Sequence, residues 1–220
     1  NVNNTYLTDF LINPNGVTVG QNIIPFIAEN GTISNSVADS TVGGTGIAGL
    51  VMNTKVGLQS FSKESAPVGA NNANTATWNY GTITMTGRPT DGAVAMYSKY
   101  GKVENSVSGK VNIEDDNSIG LYGIDSSQVL NTGTVNVKGN SSLGLYGVSD
   151  DLLNPTVTGA SGVLLRQDAT GIINVEGTDS AGIYGTKVRT VAGKTYTVEN
   201  NGTINVNNGD SLGIYSDNVN

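Results

Sequence analysis

Apolar and polar residues alternate in short runs along most of this chain, and the runs come back in the same order. In Gly202-Thr203-Ile204-Asn205-Val206 the apolar Ile204 and Val206 share one face of an extended strand, and Thr203 and Asn205 take the other. After a corner, Ser211-Leu212-Gly213-Ile214-Tyr215 alternates again, which places Leu212 and Ile214 on one face and Gly213 and Tyr215 on the other. The corner, Asn207-Asn208-Gly209-Asp210, is built from residues that tolerate the left-handed conformations of tight turns. A third run, Tyr196-Thr197-Val198-Glu199-Asn200, precedes the pair, as Gln128-Val129-Leu130-Asn131 does farther upstream. The pattern predicts three short strands per unit and no amphipathic helix longer than two turns.

The unit recurs. Gly171-Ile172-Ile173-Asn174-Val175 leads to Ser180-Ala181-Gly182-Ile183-Tyr184-Gly185, and Gly133-Thr134-Val135-Asn136-Val137 to Ser142-Leu143-Gly144-Leu145-Tyr146-Gly147. Gly109-Lys110-Val111-Asn112-Ile113 leads to Ser118-Ile119-Gly120-Leu121-Tyr122-Gly123. Weaker copies run from Gly81 to Tyr97 and from Asn30 to Leu50. The shortest interval, Gly109 to Gly133, is 24 residues. That length suits one turn of a right-handed, three-sided parallel β-helix, with three strands of about five residues and short corners. The chain is therefore expected to be all-β, a solenoid of five to six coils stacked about 4.8 Å apart. Stacking makes columns of like residues. Ile33, Ile83, Val111, Val135, Ile173 and Ile204 should point inward, as should Met96, Leu121, Leu145, Ile183 and Ile214. Two outward ladders should form, one of Asn112, Asn136, Asn174 and Asn205, the other of Tyr97, Tyr122, Tyr146, Tyr184 and Tyr215.

The repeat also divides the chain. Residues 1–29 lack it and are read as an N-terminal cap or degenerate first coil, and residues 30–220 as coils. Spacing is broken by insertions near 51–79, 148–169 and 186–194, where a regular rod has room for specific recognition. Trp78, Arg166 and Arg189 are the candidate ligand-binding residues in these segments. The chain begins at Asn1 without an initiating Met, which reads as a processed or trimmed start, and its last unit reads as one that more coils would follow.

Composition narrows the function classes. The net charge is −7 and the 11 Lys and Arg are scattered, which disfavours nucleic acid and anionic membranes as partners. No run approaches the roughly 18 apolar residues of a membrane span, so no insertion of this segment is expected. Cysteine is absent, so no disulfide staples the fold. Cysteine-free, Asn/Gly/Thr/Ser-rich chains are common among bacterial surface proteins that cross a periplasm.

Three chemical signals dissolve on inspection. Gly209-Asp210-Ser211-Leu212 spells a lipase and esterase nucleophile motif, but the chain has no His to take the serine proton. Its sister positions, such as Asn140-Ser141-Ser142-Leu143, mark it as a corner of the repeat. Asp115-Asp116 and Asp150-Asp151 lack the nine-residue period of calcium-binding repeats and read as solvated corners. Glu114, Asp115 and Asp179 are the carboxylates a β-helix glycosidase or lyase would need, yet all lie where exposed charge is expected anyway. No catalytic residue, metal site or cofactor is expected.

The unit Gly-Thr-Ile-Asn-Val … Ser-x-Gly-Ile-Tyr-Gly, led by Glu199-Asn200-Asn201-Gly202-Thr203-Ile204, resembles the passenger-domain repeats of large fusobacterial autotransporter adhesins. The resemblance is good over residues 80–220, weak over 30–79 and absent before. It implies a β-helical rod on the bacterial cell surface, exported through an outer-membrane β-barrel. It also implies attachment to host cells or other bacteria through glycan or protein receptors, by a monomeric segment. A carbohydrate-active β-helix enzyme and a purely structural spacer are the alternatives.

Overall fold

The computed structural model describes residues 26–29, 32–35, 50–52, 56–61, 76–85, 92–125, 127–148, 163–186 and 198–217. Nineteen strands among them form three parallel sheets. Sheet 1 holds β1 (Phe26–Glu29), β4 (Val56–Phe61), β7 (Val94–Lys99), β10 (Ile119–Ile124), β13 (Leu143–Val148), β16 (Ala181–Thr186) and β19 (Leu212–Asp217). Sheet 2 holds β2 (Thr32–Asn35), β5 (Ala76–Asn79), β8 (Lys102–Asn105), β11 (Gln128–Asn131), β14 (Leu164–Gln167) and β17 (Val198–Asn200). Sheet 3 holds β3 (Leu50–Met52), β6 (Thr82–Met85), β9 (Lys110–Ile113), β12 (Thr134–Val137), β15 (Ile172–Val175) and β18 (Thr203–Val206). The chain visits sheets 1, 2 and 3 in rotation, completes six coils, and begins a seventh with β19. This is the three-sided parallel β-helix that the repeat predicts.

The core is a set of columns. Met96, Leu121, Leu145 and Ile183 come from sheet 1, Val103, Val129 and Leu165 from sheet 2, and Val111, Val135 and Ile173 from sheet 3. All ten are fully buried. Burying such a side chain is worth about 1.5–3 kcal/mol, provided that a coil lies on either side to exclude water. Ile214, the last of its column, is 45% exposed.

Two expected placements are corrected. Ile33 does not join the sheet 3 column: β2 pairs with β5, so Ile33 stands beside Thr77, and Leu50 on β3 is the partner of Ile83. A Gly-Thr-Ile start suits a strand after any corner, and the triplet alone cannot say which of three sides it begins. The second correction concerns Leu212 and Ile214. In the sheet 1 strands the first residue (Val94, Ile119 or Leu143) is only half-buried, while the next two are both buried. Alternation slips by one at Gly120 and Gly144, so the glycine, not the residue before it, points inward. A Cβ at Gly144 would lie 2.5 Å from the Gly182 carbonyl oxygen of the next coil. The close approach of backbones explains the small residue there.

Amides hold the coils in register. The predicted outer ladder is present: Asn136 Nδ2 donates to Asn112 Oδ1, Asn174 to Asn136 and Asn205 to Asn174, each at 2.8 Å. A second ladder, unforeseen in the sequence, runs inside the corner between sheets 2 and 3. Asn79 Nδ2 donates to Asn105 Oδ1 (2.8 Å), Asn105 Nδ2 to Asn131 Oδ1 (2.9 Å) and Asn131 Nδ2 to Gln167 Oε1 (3.3 Å). All four residues are fully buried.

Of the segments set apart by the sequence, residues 26–29 form β1 and the rest of 1–29 lies outside the described residues. The stretch 51–79 contains β4 and β5 and most of β3, and 148–169 contains β14. Of the long connections between strands, 62–75, 149–163 and 187–197 join sheet 1 to sheet 2, and 36–49 joins sheet 2 to sheet 3.

Candidate recognition face

Sheet 2 carries two of the three candidate residues, and in one column. Trp78 on β5 is registered with Glu104 on β8, then Leu130 on β11, Arg166 on β14 and Glu199 on β17. Trp78 and Arg166 thus lie three coils apart, about 14 Å along the rod. Both are strand residues and not loop residues. In Ala76-Thr77-Trp78-Asn79 the burial alternates so that Thr77 and Asn79 face the core and Trp78 faces out. Arg189 lies outside the described residues.

Trp78 is held from two directions. Lys102 Nζ lies over its ring, 4.2 Å from the centroid, and Tyr80 lies parallel to it, with centroids 6.1 Å apart and planes 7° from parallel. Lys102 is in turn ion-paired with Glu104. Burial, and then the Glu104 carboxylate, push the Tyr80 phenol above its ordinary range. Three coils on, Arg166 pairs with Asp168: Nη2 donates to Oδ2 at 3.3 Å, while Nε lies 2.8 Å from Oδ1 without hydrogen-bond alignment. Tyr80, Lys102 and Glu104 were not singled out from the sequence. A partial signal is Asn-x-Gly, in Asn79-Tyr80-Gly81, Asn131-Thr132-Gly133 and Asn200-Asn201-Gly202. It marks the ends of β5, β11 and β17 and places Trp78 on the outward face, but the end of β8 reads Asn105-Ser106-Val107, without the glycine, so Lys102 and Glu104 escape it.

On sheet 1 the tyrosines form the expected ladder. Centroids are 5.2 Å apart for Tyr97–Tyr122, then 4.9, 5.9 and 4.7 Å on to Tyr215. Rings that lean on one another along the rod offer a ligand mainly edges and hydroxyls, so this ladder serves stacking. Burial, with Asp125 second, pushes the Tyr97 phenol up to about 12. The unfolded chain ionises near the ordinary value of about 10. Stability from this group is complete below that pH and falls as pH rises toward 12, because the unfolded state loses the proton first. Tyr97→Phe is expected to flatten this loss in a series of melts from pH 9 to pH 12. An unchanged slope would assign the loss to other groups.

The serines of the Gly-Asp-Ser-Leu-type corners form a buried ladder. Each hydroxyl oxygen accepts from the backbone N–H of the serine in the coil before: Ser118 N to Ser142 Oγ at 3.0 Å, Ser142 N to Ser180 Oγ at 3.1 Å, and Ser180 N to Ser211 Oγ at 3.0 Å. Ser142→Ala strands the Ser118 N–H and is expected to cost about 1–3 kcal/mol in denaturant titrations. A neutral result would refute the structural role. At the acidic corners, Asp115 is buried and the Asp116 carboxylate accepts from Asn140 N at 2.7 Å. Among the described residues no three acids cluster as a metal site would need. Asp150-Asp151 lies outside them.

A family model, the BigA third pectate lyase-like domain, matches residues 8–220. The chain belongs to this family. The match covers the described coils from β1 to β19, and the pectate lyase-like architecture it names is the parallel β-helix seen here. No curated protein and no solved structure matches the chain. Pectate lyase-like describes a fold, and the same fold hosts binding and catalysis alike. Function therefore turns on the outward residues of the coils.

Proposed function

We propose that this domain is a recognition segment of a bacterial surface adhesin, displayed as a rod and binding receptors on host cells or other bacteria. The observation that carries the reading is one-sidedness. Of the four connections longer than ten residues between the described strands, 62–75, 149–163 and 187–197 enter sheet 2 and 36–49 leaves it, and the outer column of that sheet presents Trp78 and Arg166. Three of the four fall at one corner and all four border sheet 2, where decorations tolerated at random would be spread over all three sides. Membership of the BigA family is compatible with surface display, and the repeat's likeness to autotransporter passengers supports export to the outer surface. The role is recognition without turnover: of the described carboxylates on or beside the sheet 2 strands, Glu104 and Asp168 are engaged in ion pairs, which leaves Glu199 where hydrolysis asks for two free carboxyl groups facing across a bond.

Beads coated with the folded domain should adhere to epithelial cells or to partner bacteria, and a domain lacking residues 149–162 should adhere less. Absence of adherence by the intact domain would favour a spacer. Release of products from polygalacturonate would favour an enzyme.

A further inference from the structure

We infer that the corner of the rod at Trp78, Tyr80 and Val107 is a binding site for a neutral glycan. The inference rests on the adhesin reading and deepens it by assigning a site and a ligand class.

Three observations meet at this corner. Tyr80 is 41% exposed, and it stands parallel to Trp78, which Lys102 covers. Val107, in the corner of the next coil, is 69% exposed, more than any other large apolar residue described. It is placed beside Tyr80 by its neighbours: Ser106 Oγ donates to Asn79 O at 2.9 Å, and Ser108 Oγ donates to Tyr80 O at 2.7 Å. Exposed apolar side chains on the last strands are explained by the missing neighbour coil, but coils three to six follow this corner, so stacking gives no account of it. The corner is also anchored. Asn79, between the two aromatic residues, is a fully buried member of the inner amide ladder. The rings are thus fixed before any ligand arrives, which limits the ordering cost of binding.

The chemistry selects the ligand. Apolar C–H faces of a pyranose ring pack on aromatic faces, and sugar hydroxyls need donors and acceptors at the rim. Tyr80 and Val107 supply the apolar floor, and Glu104 and the Tyr80 hydroxyl supply the rim. Among the described residues Lys102 is committed to both Glu104 and the Trp78 ring, which leaves Lys110, exposed at the start of β9, as the one uncommitted cation near the patch, and a single lysine does not offset the field of the chain. With a net charge of −7 over the chain, a uronate or sialylated glycan is repelled. A peptide adding as a strand finds no open edge here, since β5 is paired on both sides.

Trp78 is the single tryptophan of the chain, so its fluorescence reports on this corner alone. The intact domain should be titrated with cellohexaose, maltohexaose and lacto-N-neotetraose, and with hexagalacturonate and 3′-sialyllactose as anionic probes. At least one neutral sugar should shift the Trp78 emission saturably, and neither anionic probe should. Tyr80→Ala should weaken that binding about tenfold, as loss of one aromatic contact does, with the melting temperature kept. Tyr80→Phe, which keeps the ring and loses the rim hydroxyl, should weaken it less than Tyr80→Ala does, and the distant Arg166→Ala should bind as the parent does. No response to any neutral sugar, a response to the anionic ones instead, or equal binding by Tyr80→Ala overturns the site. So does equal capture of a receptor glycoprotein before and after enzymatic deglycosylation. If beads adhere to cells while these titrations fail, the site is wrong and the adhesin reading stands. If a neutral sugar binds while the beads adhere to nothing, the site stands and the adhesin reading fails.

Discussion

Asn105→Ala is expected to lower the stability of this domain by about 3 kcal/mol or more, whereas Asn136→Ala, one residue type in a similar ladder, should cost less than about 1 kcal/mol. Both side chains link three coils. The difference is water. Asn105 is fully buried, and its Nδ2 donates to Asn131 Oδ1 at 2.9 Å and lies 3.2 Å from the carbonyl oxygens of Gly109 and Thr134. Its Oδ1 accepts from Asn79 Nδ2 at 2.8 Å. Removing it takes the donor from Asn131 Oδ1 and one partner each from Asn79 Nδ2, which keeps Lys110 O, and Gly109 O, which keeps Thr134 N–H, and it leaves a void beside them; a buried group so stranded costs about 1–3 kcal/mol. Asn136 is half-buried on the outer face, so water can replace its partners. For a chain of this length the Asn105→Ala loss corresponds to a fall of about 6–12 °C in melting temperature. Coils interact only with their neighbours, so the break at coil three should also separate the melting of the two halves. Equal effects of the two substitutions would refute the distinction between the ladders.

The same contrast shows what the sequence could and could not disclose. Both ladders are columns of Asn at the repeat period. The outer one was legible because Asn112, Asn136, Asn174 and Asn205 sit at a fixed place between two apolar residues in every copy. The inner one was hidden by substitution and by burial. Gln167 replaces Asn in the fifth coil, and an alternation argument assigns Asn to the solvent face unless its partners are already known. Ile33 was misplaced for a related reason: pattern says which face a residue takes, and only pairing says which side of the triangle. The slip at Gly120 and Gly144 is a three-dimensional effect, since it depends on how near the next backbone comes. Trp78 and Arg166 were picked as loop candidates, and both lie on strands. In the strand Ala76-Thr77-Trp78-Asn79 a hydroxyl residue, Thr77, stands where other coils have Val103, Val129 and Leu165, so its periodicity is faint. Its neighbours Tyr80, Lys102 and Glu104 gain interest only once β5 and β8 are paired.

The corners between sheets 3 and 1 are the other place where stacking, and not local propensity, sets the sequence. Gly139→Ala is expected to destabilise the domain by about 3 kcal/mol or more, at the upper end for an overpacked site. An added Cβ would stand 1.9 Å from the Asp115 carbonyl oxygen and 2.4 Å from its carbon, and neither can swing aside as a side chain would. The coils must part locally. Parting them breaks the bond from Ser142 Oγ to Asp115 O (3.1 Å) and that from Ser180 Oγ to Gly139 O (3.0 Å), so two rungs of the serine ladder fail with one methyl group. Gly177 repeats the arrangement one coil on, where a Cβ would lie 2.0 Å from the Gly139 carbonyl oxygen. Gly209, in the last such corner, meets nothing within 4 Å. Gly209→Ala should therefore leave the denaturation midpoint within about 0.5 kcal/mol of the parent. The pair separates two explanations of a glycine-rich corner. If both substitutions cost the same, the glycines serve turn flexibility alone. If only Gly139→Ala is severe, they are there because a second coil lies against them.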